Sequence, residues 1–206
     1  MIISDVEFEI PNGPVGVLCS GGADSSLLLY LLMKHCSHQI HILTLTNKTK
    51  HFVNLHHINQ VIKWCVNKTN NYNFVHHISY ATEHTNKELE KLSLLLLKNK
   101  IVNTVYIGDT CYPPDHLNLK FAVETGDVFQ NIAARMPNKS RPTKIGPIYI
   151  PYTNYNKKKI AEIYRHEGVM DLFHLTRSCE TTANIGSAHC GNCWWCKERA
   201  WAFSDD

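Results

Sequence analysis

The stretch Val15-Gly16-Val17-Leu18-Cys19-Ser20-Gly21-Gly22-Ala23-Asp24-Ser25-Ser26 decides the fold. The apolar run Val15 to Cys19 reads as a buried parallel strand. It stops at a Ser-Gly-Gly turn, and an apolar helix is expected from Ser25 to His35, its start at the Asp24/Ser25 caps. A glycine turn between strand and helix lets backbone N–H groups approach an anion closely. The helix N-terminus adds a favourable dipole and unpaired donors. The hydroxyls of Ser20, Ser25 and Ser26 are further donors to phosphate oxygens. Asp24 suits an anion site only once a cation is present, because a carboxylate beside pyrophosphate holds Mg2+ directly or through water. The loop lacks both the Gly-Lys-Ser/Thr ending of a Walker loop and the G-x-G-x-x-G of a dinucleotide fold. An ordinary glycine-rich turn is the alternative reading.

Outward from this loop, strands and helices alternate. Ile40 to Thr46 is expected as a second strand, His56 to Asn67 as a helix, and Phe74 to Ile78 as a third strand. Glu83 to Lys100 reads as an amphipathic helix with Leu89, Leu92 and Leu96 on one face, and Val102 to Ile107 as a fourth strand ending at Gly108-Asp109. A last helix is expected from Asn156 to Glu167. Such alternation means an α/β fold with a doubly wound parallel sheet. Ligands in these sheets bind outside the carboxyl ends of the strands. Three segments leave such ends: the loop at Ser20, Thr44 to Asn47, and Gly108 to Asp115.

The chain has 206 residues with 21 Lys+Arg against 18 Asp+Glu, a balance without the electrostatic footprint of a nucleic-acid-coating protein. No direct nucleic-acid partner is therefore expected. No apolar run is long enough to span a membrane, and Met1 to Pro14 carries acidic residues and no basic region, unlike a signal peptide. A cytoplasmic location is expected, where thiols stay reduced and cysteines read first as metal ligands or buried thiols.

The tail carries Cys179, Cys190, Cys193 and Cys196, spaced Cys-x10-Cys-x2-Cys-x2-Cys. Thiolates two residues apart grip one Zn2+ from a tight turn, and a fourth from upstream closes a tetrahedron. Four thiolates leave no open position, so a structural Zn2+ is expected. A disulfide pair, a redox Cys-x-x-Cys or a nucleic-acid zinc ribbon are the alternatives. Cys19, Cys36, Cys65 and Cys111 read as buried thiols.

Ser-Gly-Gly-x-Asp-Ser after an apolar strand resembles the PP-loop of N-type ATP pyrophosphatases. Thr176-Arg177-Ser178-Cys179, then Cys190-Gly191-Asn192-Cys193-Trp194-Trp195-Cys196 followed by Arg199 and Phe203, resembles the tail of the 7-cyano-7-deazaguanine synthases. Pro151 to Ile160, with Lys157, resembles the segment before that family's last helix. The likeness runs from about residue 15 to residue 203 and is specific at both ends. Gly108-Asp109-Thr110-Cys111-Tyr112-Pro113-Pro114-Asp115-His116 departs from it, with shorter spacing and no Cys-Arg pair.

The resemblance implies a PP-loop domain over 1–175 and a zinc-binding tail over 176–206. It implies an ATP-dependent ligase that adenylates the carboxylate of 7-carboxy-7-deazaguanine and lets ammonia displace AMP. The 7-amide forms, and a second ATP activates it for elimination to the nitrile; the altered middle segment leaves that second step open. Ser20, Gly21, Gly22, Asp24, Ser25 and Ser26 are then the ligands of ATP and Mg2+. Thr44, Leu45 and Thr46 meet adenine and ribose. Asp109 or Asp115 pairs with a guanine-like edge, since a carboxylate accepts two parallel donors. Tyr112 stacks on the deazapurine or packs. Lys157 neutralises charge on the transferring phosphate or sits on a solvated helix end. Arg177 and Arg199 serve substrate or phosphate, with bracing of the tail favoured for Arg199. A homodimer is implied, with Trp194, Trp195 and Trp201 at the contact. Two rival readings are a tRNA thiolation enzyme of the same loop type and a non-catalytic ATP-binding module.

Overall fold

The computed structural model describes residues 1–47, 52–81, 87–125, 140–179 and 189–204. A short antiparallel pair, β1 (Ile2–Ile3) and β2 (Val6–Glu7), opens the chain. The main sheet then forms from β3 (Val15–Leu18), β4 (Ile40–Asn47), β5 (Phe74–Ala81), β6 (Thr104–Tyr106), β7 (Lys144–Ile145) and β8 (Ile148–Tyr149). Between the strands run α1 (Ala23–His35), α2 (Phe52–Thr69), α3 (Lys87–Lys98) and α4 (Asp115–Thr125). The chain closes with α5 (Lys157–His166), α6 (Met170–Leu175) and α7 (Trp194–Phe203).

Strand order in the six-stranded sheet is β5-β4-β3-β6-β8-β7, parallel except for β7. The chain steps outward from β3 to β4 and β5, then returns across β3 to β6. That reversal places a crevice at the carboxyl ends of β3 and β6, where open α/β sheets hold their ligands. Alternation along the strands sends Val15, Val17, Ile40 and Ile42 into the larger core with α1, α2 and α5. Leu43 and Val105 point to the other face, where Leu96 of α3 covers them and Leu89 and Leu92 pack alongside. Helices thus bury both sheet faces, the reason β3 is apolar throughout.

Several boundaries differ from expectation. The helix after the glycine turn starts at Ala23, with Gly22 extended at the N-cap; glycine has no side chain to cap with, and the Ser25 hydroxyl bonds inside the loop. The helix expected from Glu83 is described from Lys87; residues 83–86 lie outside the described residues. α4, α6, α7 and the β7–β8 hairpin were not expected from periodicity, being short or of mixed polarity. Among the described residues, no helix is long and apolar enough to cross a membrane.

Candidate functional site

The turn from β3 to α1 is the centre of the site. Gly21 holds φ +79, a left-handed conformation that a side chain would strain. The loop is tied to itself by Ser25, whose Oγ accepts from the Ser20 N–H at 3.2 Å, lies 3.1 Å from Ser20 Oγ and donates to the Gly22 carbonyl at 3.3 Å. Ser20 is exposed, while Ser25 and Ser26 are buried. Two loop carbonyls are held from outside. The Arg177 N–H donates to Gly21 O at 2.8 Å, and the Tyr164 hydroxyl donates to Ala23 O at 2.8 Å. Gly108, beyond β6, completes the packing. A Cβ there would lie 3.0 Å from the Ser25 Cα and N, so only glycine lets this strand end approach α1 so closely.

Asp24 lies in the first turn of α1. Its Oδ2 is 3.3 Å from Lys157 Nζ, and Lys157 in turn is 2.8 Å from Glu198 Oε2. Both Lys157 and Glu198 are buried, at 3% and 0% exposure, so this is an interior carboxylate–ammonium–carboxylate row. Burial pulls the Lys157 ammonium down, but Asp24 and Glu198 together outweigh it and its pKa is raised. Lys157 is therefore not on a solvated helix end; it shares the inward stripe of α5 with Ile160, Ala161 and Tyr164. Asp24 Oδ1, Ser26 Oγ and Thr46 Oγ1 are buried atoms without a hydrogen-bond partner among the described residues. Unpartnered polar atoms are costly in an interior, and Asp24 Oδ1 is one that lies in the first turn of α1, beside the glycine turn.

The other expected residues are distributed as follows. Thr44 is fully buried and donates to Cys19 O at 3.2 Å, with His76 Nε2 2.9 Å from the same hydroxyl. Leu45 is half-buried and Thr46 buried. Asp109 follows Gly108 directly and sits 3.9 Å from Arg141 Nη1. Asp115 is exposed in the first turn of α4. Tyr112 is buried, edge-on to Trp194 with ring centroids 5.5 Å apart. Trp194 is itself fully buried against Tyr112 and Phe121, so its surface is spent inside the chain; Trp195 and Trp201 are half-buried.

Cys179, Cys190, Cys193 and Cys196 come together, their Sγ atoms all within 4.8 Å of one another. This cluster could hold a metal such as zinc. The Sγ atoms of Cys190 and Cys196 are 3.8 Å apart. A tetrahedron with metal–sulfur arms of about 2.3 Å has edges of about 3.8 Å, so the spacing fits. The N–H groups of Asn192 and Cys193 donate to Cys190 Sγ at 3.4 and 3.3 Å, stabilising a thiolate. Burial first, then the neighbouring Cys193 and Cys179, raises the Cys196 thiol, so four thiolates here call for a cation. Arg199 braces the cluster. It donates to Thr176 Oγ1 at 2.7 Å and Phe173 O at 2.9 Å, and stacks 3.7 Å above the Phe173 ring.

Glu198, Tyr164 and Arg141 were not singled out from the sequence. For Glu198 a signal existed: Trp194, Glu198 and Ala202 recur every fourth residue, and all three are buried. A carboxylate in the middle of an apolar helical stripe flags an internal ion pair. A scan against protein-family models and a search among curated proteins find no match for this chain.

Proposed function

We propose that this chain has the PP-loop fold and is an ATP-dependent carbon–nitrogen ligase acting on 7-carboxy-7-deazaguanine. The observation that carries the reading is the contact between the two motifs: the Arg177 N–H, two residues before Cys179, donates to the carbonyl of Gly21 in the glycine loop. Two stretches that separately resemble one family thus meet at one strand end, with the resemblance supplying the chemistry. Zinc is the proposed occupant of the four-cysteine cluster, in a structural role. Mg2+ beside Asp24 would neutralise the phosphates and favour departure of pyrophosphate.

In this reading the backbone of Gly21 and Gly22 and the hydroxyls of Ser20, Ser25 and Ser26 orient the ATP phosphates. The ends of β4 around Thr44, Leu45 and Thr46 meet the nucleoside. Asp109 or Asp115 pairs with the guanine-like edge. The substrate carboxylate oxygen attacks the α-phosphorus, a bond to pyrophosphate breaks, and an acyl adenylate forms. Ammonia then adds at the carbonyl carbon, AMP leaves with the electron pair of the cleaved C–O bond, and a proton is lost to give the 7-amide. The residues contribute positioning and electrostatics. A thiolation enzyme needs an accessible thiol. Outside the metal cluster Cys19, Cys36, Cys65 and Cys111 are all buried, with burial pushing Cys19 up to about 11, which weighs against that rival.

Incubation with 7-carboxy-7-deazaguanine, ATP, Mg2+ and ammonium, read by mass spectrometry, tests the proposal. AMP and the 7-amide are expected; the nitrile as well would show that the second activation operates. Absence of AMP under all conditions would refute the ligase reading and leave the non-catalytic nucleotide-binding module.

A further inference from the structure

The tail touches the glycine loop twice. One contact is the backbone bond from Arg177 to Gly21; the other is the buried row Asp24–Lys157–Glu198, whose last member lies two residues after Cys196. The second contact poses an electrostatic question. A lysine 3.3 Å from Asp24 would, alone, cancel the charge that Asp24 offers to a cation. Glu198 is closer to the same ammonium, at 2.8 Å, and wholly buried. The row therefore sums to one negative charge rather than none, and Asp24 Oδ1 stays without a partner among the described residues.

We propose that Glu198 is a positioning residue for the nucleotide site: it takes up the charge of Lys157 so that Asp24 remains available to the divalent cation that accompanies the phosphates. The inference rests on the reading of the glycine loop as a phosphate site and adds to it a residue from the far end of the chain. It also gives α7 a task besides closing the metal cluster. Trp195 flanks the same row, with Lys157 Nζ 5.8 Å from its ring centroid, which helps keep water from the pair.

Charge compensation and mere support predict different outcomes. In Glu198→Gln, Lys157 is left to Asp24 alone and the site loses one negative charge. Binding of a non-hydrolysable ATP analogue, measured calorimetrically with Mg2+, is expected to weaken about 10- to 100-fold, the usual loss when a partner of a metal-binding carboxylate is removed. In magnesium-free buffer, affinity for the bare polyanion is expected to stay level or to tighten. The double variant Lys157→Met/Glu198→Gln restores the single negative charge and is expected to recover most of the affinity with Mg2+. A parallel loss in both buffers, no change in either, or no recovery in the double variant would overturn the proposal while leaving the phosphate site standing. If Glu198→Gln does not fold, the double variant decides alone, by recovery or its absence. If zinc-loaded wild-type protein binds the analogue in neither buffer, the phosphate reading itself fails and the proposal with it.

Discussion

Two strand ends in the same sheet have been treated in opposite ways. At β3 the chain turns through Gly21 and Gly22, and distant segments converge on it: Arg177, Tyr164, Gly108 and the Lys157–Glu198 pair. At the outer edge, β4 and β5 pair along eight residues, and among the described residues β5 is the more open of the two. Val75, Ile78 and Tyr80 of β5 are exposed, and His41 and His77 stack with ring centroids 5.2 Å apart. The centre is held by groups far apart in the chain, whereas the edge strand β5 is held chiefly by the strand beside it. An immobile loop is what anion binding requires, since its donors must be in place before the ligand arrives. The outermost strand, β5, carries no such demand.

The largest test of this contrast removes the metal cluster. Cys190→Ser, or prolonged chelation, is expected to abolish stoichiometric zinc and to lower the thermal midpoint strongly, because structural zinc sites contribute on the order of 10 kcal/mol. Nucleotide binding at the centre should fall with it, while far-ultraviolet signatures of the β4–β5 pairing persist. A variant that keeps full zinc content and midpoint would show that the cluster is not a metal site.

A middle-sized effect is expected at Gly108→Ala. The added methyl would meet the Ser25 backbone at 3.0 Å, which cannot move without moving the loop. A cost of about 1–3 kcal/mol is expected, seen as a lower midpoint in denaturant together with weaker nucleotide binding. Unchanged affinity would mean that β6 does not set the loop position.

The smallest effect belongs to the edge and depends on pH. Burial, and then the charge of His77, depresses His41, whose Nδ1 is 2.9 Å from His77 Nε2; burial also depresses His76. A depressed histidine contributes stability that is present above its unfolded pKa, about 6.5, and is lost as pH falls. The thermal midpoint should therefore decline from pH 7 to pH 5, with a shallower decline in His41→Gln. Equal slopes would place the acid sensitivity elsewhere.

The parts of this contrast that were readable in the sequence are those carried by local pattern. The strand β3, its glycine turn and the following apolar helix stand out because backbone requirements force particular residues at adjacent positions. The four cysteines stand out because spacing alone brings three of them to one turn. The start of α1 was misplaced by two residues, since Asp24 and Ser25 are good capping residues and nothing local says that Ser25 bonds backward into the loop instead. The partner of Asp24 was half legible: Lys157 was singled out, but its burial depends on α7 lying over α5, a contact between segments some forty residues apart. Tyr112 was read as either stacking on a ligand or packing; the structure places it against Trp194, a choice made by tertiary neighbours.

The central claim is that the loop at Ser20–Ser26, held by the tail, is where nucleotide phosphates bind. Amide proton–nitrogen correlation spectra of zinc-loaded protein, titrated with a non-hydrolysable ATP analogue and Mg2+, test it most directly. The largest shifts are expected at Gly21, Gly22 and Ala23, with a secondary set at Arg177 and Gly108, and none at Asn71, Asn73 or Val75 across the sheet. Shifts confined to the far edge, or none at saturating analogue, would contradict the account.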